Sequence, residues 1–161
     1  MVRIIGCGRW TMGDDQAGLI VAERLRRCRL PDTSVLQTEA PLADLADQPG
    51  GPADLLVVVD AAHADQQHPA GTVCRIDYRG GAPMLCPKLS ATTHTLGVDA
   101  GLELAAGLGV LPEQVWLYVV FGGVFERGLE LSKPMAGAID PLVERIAGDV
   151  QAWRQRRPCT N

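Results

Sequence analysis

The chain has no basic cluster ahead of its C-terminal end, no C-x-x-C pair, no apolar run long enough to span a bilayer, and neither a G-x-S-x-G elbow nor an H-E-x-x-H helix. Each absence removes a class of function. With a formal net charge of −4, nucleic acid is a poor partner. Arg154, Arg156 and Arg157 read as the solvated end of a last helix. The longest strongly apolar run, Leu55 to Val59, is far too short to cross a membrane. No charged segment leads into a long apolar one at the start, so a soluble cytoplasmic protein with no membrane partner is expected. The five cysteines, Cys7, Cys28, Cys74, Cys86 and Cys159, are scattered and odd in number, which speaks against a zinc cage or a disulfide framework. They are expected to be buried or idle thiols, and only Cys7 lies in a loop of chemical interest.

What is present points to one α/β domain over 1–157 with a short tail at 158–161. The 161 residues are 47% hydrophobic, enough for a proper core and too apolar for disorder. Strand-like runs and helical periodicity alternate along the chain. Val2–Ile5 reads as a strand, followed by a helix with Ala17, Ile20, Val21, Leu25 and Cys28 on one face. Ser34–Thr38 reads as a second strand and Pro41–Asp47 as a short helix. Leu55–Val59 is a continuous run suited to a central strand covered on both faces, and Thr72–Tyr78 alternates as an edge or antiparallel strand would. Ser90–Leu108 has helical spacing, Val115–Val120 is another buried-type strand, and a last helix carries Ile139, Leu142, Val143, Ile146, Val150 and Trp153. Pro141 predicts a kink or restart there. The order implies a twisted, mostly parallel sheet of about five strands between helices. In such sheets ligands bind beyond the carboxyl ends of the strands.

The loop after the first strand, Gly6-Cys7-Gly8-Arg9-Trp10-Thr11-Met12-Gly13-Asp14-Asp15, is glycine-rich but ends in acid. The dinucleotide fingerprint fails because Thr11 takes the third glycine position. The P-loop fails because Asp14-Asp15 stands where Lys-Ser/Thr is required. Negative charge at this turn argues for a metal ion, a cationic group or acid–base chemistry. By the strand-end rule Asp15, Asp60 and His94 are the residues to examine. Each has a plain structural alternative: a carboxylate near a helix start can serve the helix dipole, Asp60 can bond loop amides, and His94 can be a satisfied core histidine. Asp14 is expected to be the helix cap, which leaves Asp15 surplus to that task. Taken together, two carboxylates and one imidazole form a ligand set with open positions, and nickel, zinc or iron all fit on ligand type. Without a metal, two close carboxylates could share a proton for hydrolysis. Other candidates are weaker. His63 and His68 are five apart and read as a solvated loop, and Trp10 as a plug at the loop's base.

At these residues the chain resembles the hydrogenase maturation proteases, endopeptidases that process the large subunit of nickel–iron hydrogenases. Three segments carry the likeness in the same order: Gly6-x-Gly8 with Gly13-Asp14-Asp15-x-x-Gly18; Leu55-Leu56-Val57-Val58-Val59-Asp60-Ala61; and Thr93-His94 through Leu108-Gly109-x-Leu111-Pro112 to Phe125-Glu126-Arg127-Gly128-Leu129-Glu130-Leu131-Ser132. Arg9 stands where the family usually has asparagine. The resemblance implies a twisted sheet between helices and removal of a C-terminal extension from the precursor after nickel insertion. It also implies that Asp15, Asp60 and His94 recognise nickel carried by the substrate, and that hydrolysis is aspartic-type or metal-assisted. A monomer is expected. The alternatives are a non-catalytic nickel-binding or hydrogenase-binding chaperone on the same fold and, from a third class, a nucleotide-binding module.

Overall fold

The computed structural model describes residues 1–47, 53–78, 95–128 and 130–156. Its frame is a five-stranded sheet. Val2–Cys7 (β1) and Leu55–His63 (β3) lie side by side at its middle, flanked by Thr33–Thr38 (β2) beyond β1 and by Gln114–Gly122 (β5) and Val73–Tyr78 (β4) beyond β3. The first four pair in parallel, and β4 runs antiparallel along β5 at the edge. This is the α/β architecture the hydrophobic pattern predicts, including the antiparallel edge strand.

The continuous apolar runs become central strands because helices cover both faces. On one face Ala17–Arg27 (α1) and Lys133–Arg156 (α4) bury Val21, Leu25, Ile139, Leu142 and Trp153 against Ile4, Val57 and Tyr118. On the other, Pro41–Asp47 (α2) and Thr95–Gly107 (α3) bury Leu45, Val98 and Leu102 against Ile5, Val58 and Leu117. The helix predicted from Ser90 is described from Thr95 onward, and its earlier residues lie outside the described ones. Helix α4 runs through Pro141 without a restart.

From β1 the chain crosses one face through α1 to reach β2, then crosses the other face through α2 to reach β3. The topological switch point therefore falls between β1 and β3, and a crevice at their carboxyl ends is a consequence of the topology. Two glycines bring α1 close to that rim. A Cβ on Gly18 would lie 2.2 Å from the Cys7 carbonyl oxygen and 2.5 Å from that of Val59, and one on Gly6 would lie 2.1 Å from the Gly18 carbonyl oxygen.

Asp14 does not cap the helix as the sequence suggests. It sits in a 3-10 turn, Gly13–Gln16, with its side chain fully buried. Its carboxylate accepts hydrogen bonds from the amides of Gly123 (2.8 Å), Val124 (3.0 Å) and Ser132 (2.7 Å) and from the Ser132 hydroxyl (2.8 Å). The loop after β5 and the entry to α4 need an internal acceptor more than the 3-10 turn needs a cap. Backbone bonds run alongside: the Asp14 amide donates to Val124 (2.7 Å) and the Gly13 amide to Gly128 (3.0 Å).

An Asp14→Ala variant is therefore expected to lose about 3 kcal/mol or more of folding stability, because buried donors lose their acceptor. Urea denaturation measures this. A loss below about 1 kcal/mol, the range of a simple cap, would contradict the role assigned here.

Candidate functional site

The β1–α1 loop reaches the switch point through backbone conformations that suit glycine. Gly8 has φ +146° and Gly13 φ +56°, while Thr11 between them has φ 65°. Any side chain on Gly8 would meet the Asp15 carbonyl oxygen at 1.9 Å. The Gly8 amide donates to Thr38 and the Gly128 amide to Thr11, which ties the loop on both sides. Asp15 then follows the buried Asp14 with only 1% of its own surface exposed.

Asp60 arrives from the other direction. It does not end its strand, as its place after the apolar run suggests. Strand β3 continues to His63, held by pairing with β5 through His63↔Gly122. Pairing with β1, however, stops at Gly6↔Val59. Asp60 is thus the first β3 residue past its last partner in β1, and alternation along the strand turns it to the α2–α3 face with Leu56, Val58 and Ala62.

Asp15 and Asp60 line one cleft, together with Gly8, Arg9, Glu39, Pro41 and Gly97. Gly97 lies in the first turn of α3, so that helix begins at the cleft. His94, the third predicted residue, directly precedes α3 in sequence and lies outside the described residues. Among the described residues no three His, Cys, Asp or Glu side chains form a group able to hold a metal ion. A complete ligand set thus needs a donor beyond the two carboxylates, and the donor chemistry of the pair suits a hard or borderline divalent cation.

The two carboxylates sit in different electrostatic surroundings. The Arg9 Nε donates to the Asp15 carboxylate at 3.2 Å. Asp60 is pushed from 3.8 up to about 8, chiefly by burial, with the charges of Asp15 and Asp99 adding to the rise and a hydrogen bond from the Ala61 amide opposing it. Burial likewise raises the Cys7 thiol well above its ordinary value, with Asp60 and Asp15 adding. Cys7 is fully buried at the end of β1, so its thiol is an inert core group rather than a nucleophile. Cys28 is exposed, and Cys86 and Cys159 lie outside the described residues.

Other sequence candidates separate from this site. The rings of His63 and Phe125 meet at 4.0 Å, and those of His68 and Phe121 stack at 4.4 Å, so both histidines are aromatic partners. Trp10 is 39% exposed and does not plug the loop. It borders a second shallow groove with Leu19, Thr38 and Glu39, next to the carboxylate cleft. Glu39, which lines both, went unnoticed in the sequence. The signal for it was its place just after β2, at the same rim as Asp15. A larger cleft of about 750 Å³ opens at the opposite end of β5, beside Gln114 and Trp116. Its Arg75 is already engaged with Trp116, Asp77 and Asp149.

Solved structures share this arrangement of strands and helices. The chain superposes on the [NiFe] hydrogenase maturation protease HybD from Thermococcus kodakarensis with a TM-score of 0.72 at 21% identity, covering 92% of this chain and 97% of that one. For the hydrogenase maturating endopeptidase HybD from E. coli the TM-score is 0.73 at 20% identity, over 94% and 92% of the two chains. For the hydrogenase 2 maturation peptidase from a Thaumarchaeota archaeon it is 0.65 at 25% identity, over 92% and 97%. Neither a protein-family model nor a curated protein matches the sequence. The chain has the fold of the hydrogenase maturation proteases, and the likeness read from its motifs agrees with the likeness of its coordinates.

The raised Asp60 has a measurable consequence. Between 3.8 and about 8 the folded chain keeps a proton on Asp60 that the unfolded chain has released. This contribution is fully present below the unfolded value and is lost as pH rises through the folded one. In Asp60→Asn the neutral amide has no such dependence. Relative to the parent chain, the variant should gain more than about 1 kcal/mol of stability on going from about pH 5 to about pH 8.5. Urea midpoints at the two pH values test this, and a constant difference between the proteins would count against a neutral, buried Asp60.

Proposed function

We propose that this protein is a maturation endopeptidase that removes the C-terminal extension of an immature nickel–iron hydrogenase large subunit after nickel insertion. The observation that carries the reading is the meeting of Asp15, from the turn after β1, and Asp60, from β3, in one cleft at the β1/β3 switch point of this fold. Nickel is part of the substrate. Asp15, Asp60 and His94 recognise it, so the peptide bond to be cut is presented beside the ion.

The reaction adds water across one peptide bond. A carboxylate takes a proton from water, or the substrate's nickel polarises the water or the scissile carbonyl, and the departing amine gains the proton. Asp60, with its raised value, is suited to hold and return that proton, while Asp15 lies beside the Arg9 guanidinium. With this reading go a monomer acting in the cytoplasm and no nucleic-acid or membrane partner. Among the described residues no helix is long and apolar enough to cross a membrane. The Arg9–Asp15 ion pair favours one second reading, a non-catalytic chaperone that binds the nickel-loaded precursor without cutting it.

Mass spectrometry of a nickel-loaded precursor incubated with the protein separates the two. The protease reading expects a shortened C-terminus, formed at least about 100-fold more slowly by Asp15→Asn and Asp60→Asn. Nickel-dependent co-elution with an intact precursor would select the chaperone instead.

A further inference from the structure

Arg9 is the one residue of the carboxylate cleft that brings positive charge among its described lining, against Asp15, Glu39 and Asp60. Its backbone belongs to a loop pinned by the Gly8–Thr38 and Gly128–Thr11 hydrogen bonds. Its side chain is different: 40% exposed, it reaches in from solvent to place Nε 3.2 Å from an Asp15 carboxylate that is 1% exposed.

A divalent ion bound by Asp15 has to approach the same carboxylate oxygens. At contact distance two cations repel, the more so beside a carboxylate as buried as Asp15. The ion and the guanidinium therefore compete.

Resting on the reading of this cleft as a nickel-recognition site, we infer that Arg9 is a displaceable counter-ion on Asp15 that selects nickel held in a protein over nickel in solution. A solvated ion has only its own attraction to the site's ligands with which to displace the guanidinium. An ion presented within a folded precursor arrives with the rest of that protein's contacts, and these supply what displacement costs. Arg9 then swings to the rim of the cleft. In this role it is a specificity-determining residue and takes no part in the bond cleavage.

Isothermal titration of nickel chloride into the full chain tests the inference, comparing the parent with Arg9→Asn, Arg9→Gln and Arg9→Lys. The neutral variants should bind nickel at least about tenfold more tightly than the parent. Arg9→Lys keeps the charge and should stay near the parent, which a merely structural role for Arg9 would not require. Adding Asp15→Asn to Arg9→Asn should abolish the gain. Equal affinities in the parent and both neutral variants would overturn the inference. So would a gain in Arg9→Lys as large as in Arg9→Asn, or no nickel binding by either neutral variant. Precursor cleavage by the parent chain is scored separately. Cleavage without an affinity gain leaves the protease reading standing and removes the counter-ion role, while an affinity gain without cleavage does the reverse.

Discussion

The buried carboxylate of Asp14 is the interaction on which the rest of the rim depends. It closes three backbone amides and a hydroxyl onto one side chain, and so joins the loop after β1 to the loop after β5 and to Ser132, just ahead of α4. A carboxylate this deep is tolerable only because its oxygens are filled by donors, and those donors would be stranded without it. The strictness of the fit shows at Gly122, where a Cβ would come within 2.6 Å of the Asp14 side chain. Asp15 follows directly, so its position is fixed by a neighbour whose own role is structural. The adjacent acids divide the work: one fastens the turn, and the other is presented by it.

Close backbone approach does the remaining positioning. Gly6 and Gly18 let the start of α1 lie against the ends of β1 and β3, with no side chain between. A longer or looser connection would carry Asp15 away from the crevice. On the other side, β3 outlasts its pairing with β1 because β5 accompanies it to His63. The rigidity that holds Asp60 thus comes from β5, and the opening in front of it from the short reach of β1. The crevice is a difference in strand length, set where the chain changes direction across the sheet.

Much of this was legible in the sequence. Leu55–Val59 and Val115–Val120 could be read as central strands because an unbroken apolar run has few other uses. The alternating Thr72–Tyr78 segment similarly announced the antiparallel edge. The rule that ligands bind beyond strand ends singled out Asp15 and Asp60, and both line one cleft. The failures share a cause: sequence shows what a side chain offers, not who takes it up. Asp14 before a helix offered a cap, but the takers were amides more than a hundred residues away. Asp60 after an apolar run looked like a strand end because only the partner strands decide where pairing stops. Trp10 looked like a plug, although the loop beneath it is closed by hydrogen bonds from Gly8, Gly13 and Gly128.

The two carboxylates of the cleft meet the same problem in opposite ways. Both are withdrawn from water, and the charge of Asp15 makes that of Asp60 harder to bear. Asp15 has a guanidinium beside it. Among the described residues the Ala61 amide is what favours the charge of Asp60, and burial drives it toward the neutral acid. The asymmetry does not come from the carboxylates themselves. It comes from a strand that carries Asp60 into the core and from a first loop that sets the Arg9 guanidinium beside Asp15.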